Sequence, residues 1–292
     1  MNDQTMIIDT KADLAAFLTA ESWAIRPEML TVLSTQIEPP PESEARTPRL
    51  PTVKGKIAVL PLTGVLTHRR AGGLMGFLFG GTSMQEWGAQ FDQMMADPSV
   101  SGIVIDGDTP GGTVAGTPEL AAKVLAARGQ GKPIIGVANT SVGSAGYYVL
   151  SQADQVVVSP SGEVGSIGVL AVHFDESAAL EAAGIKPTII QAGEFKTEQA
   201  NFGPLSEEAR EFKQQQINRE YAAFVGAVAK GRGKTPAVVR DTFGRGRMIQ
   251  AEEAVERGMA DRVATLEEVL VGMMPKGTPR RSAAERALRL AE

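Results

Sequence analysis

GIVIDGDTPGGTVAGTPELAAKVLAARGQGKPIIGVAN, residues 102–139, decides the fold. GIVIDGD at 102–108 is apolar through Ile105, the composition of a short strand covered on both faces. A Pro-Gly-Gly turn follows at 110–112. Thr117-Pro118 then caps a segment in which Leu120, Val124 and Leu125 recur at helical spacing, and PIIGVAN at 133–139 is a second apolar strand. Strand, helix and strand in this order form a crossover unit, right-handed in nearly all folds, that sets the two strands parallel.

The alternation continues on both sides. Upstream, KIAVLPL at 56–62 reads as a strand. GGTSMQEWGAQFDQMMADP after it reads as a helix opened by a Ser83/Glu86 capping box, with Met84, Trp87, Phe91, Met94 and Met95 on one face and Asp97-Pro98 at its end. Downstream, SAGYYVLSQA at 144–153 suits a short buried helix, and QVVVSP and SIGVLA suit strands. Residues 175–183 suit a helix, and PTIIQAG at 187–193 suits another strand. A long helix runs from Ser206 towards Ala229, and further helices are predicted from Thr235-Pro236, over 250–257, and from a cap made by Thr265 and Glu268. The fold class is therefore α/β: a core of repeated β/α units with helices at the C-terminal end.

The flanks have a different composition. EPPPESEARTPRLP at 38–51 carries five prolines and nothing periodic to bury. The organisation expected is an N-terminal helical arm (1–37), a Pro-rich linker (38–53), the main domain (54–274) and a basic tail (275–292). One or two short helices are expected between Lys11 and Thr35, carrying Trp23, Ile25, Leu30 and Leu33. In the tail, Lys276, Arg280, Arg281, Arg286 and Arg289 read as a solvated helical terminus.

Composition narrows the chemistry. The 292 residues hold 29 Lys plus Arg against 34 Asp plus Glu, a net charge of -5, which gives no global field for nucleic acid or an anionic membrane. With no Cys there are no disulfides, thiol nucleophiles or cysteine metal sites, and two His leave little for a metal centre or a His-based triad. No run approaches the roughly 18 apolar residues of a membrane span, and MNDQTMIIDTKADLAAF is too charged for a secretory signal. The expectation is a cytoplasmic protein without a membrane anchor, cofactor or metal. Any catalysis rests on Ser, Lys, Asp, Glu and backbone groups.

Two clusters supply such groups. The glycines of DTPGG at 108–112 let backbone N–H groups approach a ligand without Cβ interference, as an oxyanion nest requires, although the same residues also suit an ordinary turn. In TSVGSAGYY at 140–148, Ser144 lies between small residues where a strand enters a helix. A sharp turn there presents Oγ with the following N–H groups beside it; the plainer reading is a helix N-cap. A serine needs a base. His173 and His68 are available, each without a clear acidic orienter. Lys196, in QAGEFKTEQANFGPLS, follows an apolar stretch. In a dry cleft its amine would lose charge and accept a proton; otherwise it is a surface charge.

Together, IVIDGDTPGG (103–112), SVGSAGYY (141–148), GSIGVLA (165–171), AGEFKTEQANFGPLSEE (192–208) and GRMIQAEEAVERGMADRV (246–263) resemble the S49 serine peptidases, the signal peptide peptidase A relatives, over about residues 54–270. The resemblance implies a crotonase-like, Clp-type protease-like core and a Ser/Lys dyad. Ser144 would be the nucleophile and Lys196 the general base, with the N–H groups of Gly112 and Ala145 as oxyanion donors. Gly111 would shape the turn, and Ser166 and Thr197 would be supporting hydroxyls. Ala145 stands where the family has glycine, and Asp106 and Asp108 match no catalytic position.

The opening ESWAIRPEMLTVLSTQIE, at 21–38, resembles the arm of the phage and prophage head proteases, the minor capsid protein C group. That implies a polypeptide substrate, scaffold or capsid protein, cleaved inside a procapsid in the host cytoplasm. The S49 resemblance also implies a cyclic homo-oligomer with the serine and lysine of one site from adjacent subunits, and the Pro-rich linker is expected to leave the arm free to dock elsewhere. The alternatives are a housekeeping S49 peptidase acting on cytosolic or signal-derived peptides, and a catalytically silent capsid- or scaffold-binding protein.

Overall fold

The computed structural model describes residues 6–8, 18–29, 50–69, 71–72 and 81–274. Its strands, in chain order, are β1 (Met6–Ile8), β2 (Trp23–Ile25), β3 (Thr52–Lys54), β4 (Ile57–Thr67), β5 (Ala71–Gly72), β6 (Thr82–Ser83), β7 (Gly102–Thr113), β8 (Ile134–Gly143), β9 (Gln155–Val158), β10 (Glu163–Gly165), β11 (Met248–Gln250) and β12 (Arg262–Val263). Ten of them form one sheet in the order β11-β10-β8-β7-β4-β3, with β6 on β4, β2 on β7, β9 on β8 and β12 on β9. The central pairs β4/β7 and β7/β8 are parallel, as the crossover reading requires. The mostly parallel α/β architecture with helices packed on it is the fold class expected from the sequence.

The sheet opens towards the C-terminal ends of its central strands. β7 pairs with β8 from Ile103 to Gly107, and beyond the register shift before Thr109 its end, Gly111 to Thr113, pairs antiparallel with β2. β8 likewise pairs with β9 over Ile135 to Ala138, then with β10 over Ser141 to Gly143. Each central strand thus changes neighbour near its end, and the residue that follows β8 is Ser144.

Apolar packing holds this frame. Trp87 and Phe91, on the helix Met84–Ala96, stack with ring centroids 5.5 Å apart, and the Trp87 indole donates to the Pro61 carbonyl at 2.9 Å. The buried face of Glu207–Arg232 brings Phe224 onto Tyr148, centroids 4.6 Å apart. Each such ring contributes roughly 2–3 kcal/mol of apolar burial. Side-chain caps open the helices: Ser83 accepts from the Glu86 N–H at 3.3 Å, one half of the expected capping box, Ser206 from Ala209 at 3.1 Å, and Thr265 with Glu268 forms the full capping box expected there.

Several local expectations are corrected. Pro110-Gly111-Gly112 is not a turn but the kinked end of β7, and the Thr117–Ala127 helix is capped by Gly116 in the left-handed region, with Thr117-Pro118 in its first turn. SIGVLA contributes one isolated bridge at Leu170, and PTIIQAG is not a strand. Its β-branched residues suit a strand, but among the described residues no neighbouring strand pairs with it, and Ile190 is 95% exposed. Trp23–Ile25, expected in a helical arm, is the strand β2. It lies against this chain's own sheet rather than free. β3 begins at Thr52, inside the stretch read as linker. The rest of that linker up to residue 49, residues 11–17 and 30–35 of the stretch from Lys11 to Thr35 expected to hold one or two short helices, and the basic tail lie outside the described residues.

Candidate active site

Ser144 is fully buried between the end of β8 and the helix Ala145–Leu150. Its backbone has φ 52° and ψ -117°, a left-handed conformation that costs a non-glycine residue of order 1–3 kcal/mol and persists where the surroundings fix it. Two backbone bonds do so here: the Ser144 N–H donates to Gly165 O at 2.8 Å, and its carbonyl accepts from Tyr148 at 2.9 Å. Ser144 occupies the N-cap position, yet its side chain makes no capping bond. The hydroxyl is instead 3.5 Å from the Gly168 carbonyl, so the plain N-cap reading fails and Oγ is left on a strained strand-to-helix turn.

The glycines expected to serve an oxyanion sit beside it. Gly111 has φ 107°, and a Cβ placed there would lie 2.9 Å from Ser144 Cβ. A Cβ on Gly112 would lie 1.8 Å from Leu66 O, so the β4/β7 pairing tolerates only glycine at that position. Thr109, which the sequence reading passed over, positions this end of β7. Buried to 1% exposure, it donates to Gly64 O at 2.5 Å and accepts from the Gly111 N–H at 3.1 Å. Ala145 is the first residue of its helix, where a backbone N–H has no carbonyl in a preceding turn.

The other predicted residues divide. Ser166, itself at φ 52°, adjoins the Gly165 carbonyl that holds Ser144. Lys196 is exposed on the irregular segment 184–205, and among the described residues no hydrogen bond joins it to Ser144. Among the described residues of one chain, Lys196 therefore has no dry cleft around it. Thr197 bonds the Gln191 side-chain carbonyl and accepts from Ala200 at 3.0 Å through its own carbonyl. His173 places Nε2 2.9 Å from Gly203 O, and Nδ1 is buried with no hydrogen-bond partner among the described residues. Asp106 accepts from Asn139 at 3.1 Å and Asp108 from Thr140, both fastening β8 to β7.

The sequence reading also missed Arg26, whose guanidinium bonds Ser141 at 3.0 Å and Glu163 at 2.9 Å, joining the arm to β8 and β10. Its only signal was a lone cation next to an apolar triplet. Among the described residues no group of three His, Asp or Glu side chains could hold a metal ion, and no helix is long and apolar enough to cross a membrane.

Comparison with known proteins gives matches over this same region. The model of peptidase family S49 matches residues 126–277. Capsid assembly protease C of Escherichia phage lambda is 32% identical over 221 residues, 76% of this chain and 49% of that protein. Head-tail preconnector protein GP5 of Enterobacteria phage P21 is 32% identical over 77% of this chain and 44% of its own length. Protease 4 of Salmonella typhi is 28% identical over 62% of this chain and 29% of its own. The chain thus spans about half the length of the two phage relatives or less.

Proposed function

The chain belongs to peptidase family S49, and from that premise we propose that it is a serine endopeptidase using a Ser144/Lys196 dyad. The observation that carries the reading is the strained, buried Ser144, whose side chain does no capping work. Ser144 Oγ attacks the peptide carbonyl while the Lys196 amine takes its proton. The tetrahedral oxyanion accepts from the N–H groups of Gly112 and Ala145, and the protonated amine then passes its proton to the leaving nitrogen, freeing an acyl-enzyme for water. Ser166 and Thr197 support the two reacting residues through their segments, and Gly111 holds the β7 kink.

In this reading the base comes from a neighbouring subunit of a cyclic homo-oligomer. Supporting it, the segment that bears Lys196 exposes Ile189 (47%), Ile190 (95%), Phe195 (51%) and Phe202 (47%), an apolar surface that a second copy would cover. The substrate is a polypeptide, scaffold or capsid protein, cleaved within a procapsid in the host cytoplasm. The phage relatives, one of them called a capsid assembly protease, support that choice.

Co-expression with neighbouring head proteins, followed by mass spectrometry of the products, tests it. Ser144→Ala should lower cleavage by about a thousandfold or more. Undiminished cleavage would leave a binding protein that keeps the fold.

A further inference from the structure

We propose that β2 is an intramolecular occupant of the peptide-binding groove, seated as a substrate strand would be, and that a polypeptide substrate enters by displacing it. The proposal rests on the peptidase reading of Ser144 and identifies what fills that site in the resting chain.

Backbone geometry carries it. β2 lies between two walls. On one side it runs antiparallel to the end of β7, with Trp23 opposite Thr113, Ala24 opposite Gly112 and Ile25 opposite Gly111. On the other, Trp23 exchanges both backbone bonds with Leu170, at 2.8 and 2.9 Å. A peptide added as a strand is held in this way, by main-chain bonds that ignore its sequence.

The register places the strand at the reacting groups. Val114 N–H donates to Ser22 O, and Arg26 N–H to Pro110 O, each at 2.9 Å. Antiparallel ladders alternate, so Ala24 and Gly112, midway between those two contacts, are the next hydrogen-bonded pair, and the Gly112 N–H faces the Ala24 carbonyl. Gly112 is the proposed oxyanion donor. A Cβ built on Gly111 would lie 2.2 Å from Ala24 O, 2.9 Å from Ser144 Cβ and 3.0 Å from Ile25 Cα, so the Ala24–Ile25 peptide passes beside the serine.

A side-chain pocket lies at the same place. Ala24 lines a cavity of about 60 Å³ together with Val114, Tyr148, Val169, Phe224 and Glu220, room beyond its methyl group for a larger side chain. The strand is pinned at both ends, by the buried Trp23, whose indole donates to Leu18 O at 3.1 Å, and by Arg26 on Ser141 and Glu163.

The test reads binding, so that it is independent of the dyad. All proteins carry Ser144→Ala, and the probe is a fluorescein-labelled peptide of residues 19–29 of this chain. Arg26→Glu, which turns the clamp on Glu163 into repulsion and leaves the buried Trp23 in place, should tighten peptide binding about tenfold or more. The chain has no cysteine, so Ser22→Cys with Val114→Cys supplies the two thiols needed to fasten β2 to β7. The oxidised form should bind the peptide about tenfold or more weakly than the same protein after reduction. Equal binding by oxidised and reduced protein, or by the Arg26→Glu and parent proteins, overturns the proposal. A peptidase that fails the cleavage test yet shows both binding shifts overturns the dyad and leaves the groove.

Discussion

The two halves of the proposed dyad occupy opposite kinds of structure. Ser144 is fully buried, held in a conformation unfavourable to it by bonds from Gly165 and Tyr148, at the meeting point of strands that are themselves core. Lys196 is exposed, and the backbone bonds next to it are short-range, as in Lys196 N–H to Gly193 O at 3.2 Å. In the proposed mechanism the nucleophile needs preorganisation that a single chain can provide, whereas the base needs a dry environment, which the described residues of one chain do not build around Lys196. A second copy covering the lysine segment is the proposed remedy.

The largest effects come from breaking each half separately. Ser144→Ala and Lys196→Arg should each reduce peptide turnover by about a thousandfold or more, the second because guanidinium stays protonated. Lys196→Arg should leave the denaturation midpoint unchanged, since the lysine is exposed. Mixed under subunit exchange, Ser144→Ala and Lys196→Ala proteins should recover part of the activity in a peptide-release assay. No recovery in verified mixed assemblies would place both residues in one subunit.

A second contrast is steric. Gly112→Ala forces a methyl onto Leu66 O and should cost about 3 kcal/mol or more in urea denaturation. Gly203→Ala, in the lysine segment, where a Cβ meets nothing within 4 Å, should change stability by less than about 0.5 kcal/mol.

The frame was legible in the sequence where burial writes a pattern. β7, β8 and the helices behind Ser83, Ser206 and Thr265 carry apolar runs, helical periodicity or caps that depend on neighbours close in the chain. Ser144 stands out because a strand-to-helix turn among small residues is a local signal, but that signal suits an N-cap equally, and it is the resemblance to the S49 peptidases that points to a nucleophile. Three features were not legible. PTIIQAG has strand composition, but a strand exists only where a ladder accepts it. Trp23–Ile25 is too short for any periodicity and is a strand because β7 and Leu170 make it one. Thr109 acts through Gly64, 45 residues away, which no local spacing reveals.

Smaller effects probe how the serine side is braced. Asp261 receives two bonds from Arg232, at 2.7 and 2.9 Å, and one from the Val156 N–H at 2.7 Å, tying the long helix to β9. Burial alone would raise its carboxyl pKa, but those bonds and the Arg232 charge hold it below the ordinary value. Because the folded-state value is the lower one, the contribution to stability is present above the usual carboxylate range and is lost as pH falls through the depressed value. Asp261→Asn should therefore be less stable than the parent near pH ~6, with the gap closing towards pH ~3 in denaturant titrations. Thr265→Ala, which removes one exposed helix cap, should cost about 1 kcal/mol by the same measurement.

The change of neighbour along β7 has a consequence for how the protein behaves in concentrated solution. Beyond Thr109 the side of β7 that faced β8 is covered by three residues of β2, so a chain that has lost this cover presents the Pro110 C=O, the Gly112 N–H and C=O and the Val114 N–H as a bare edge. Such an edge accepts any extended polypeptide, including the same stretch of another copy, and would seed aggregation in a crowded compartment. Trp23–Ile25 keeps that edge capped until a polypeptide takes its place, and so protects colloidal solubility as well as the site.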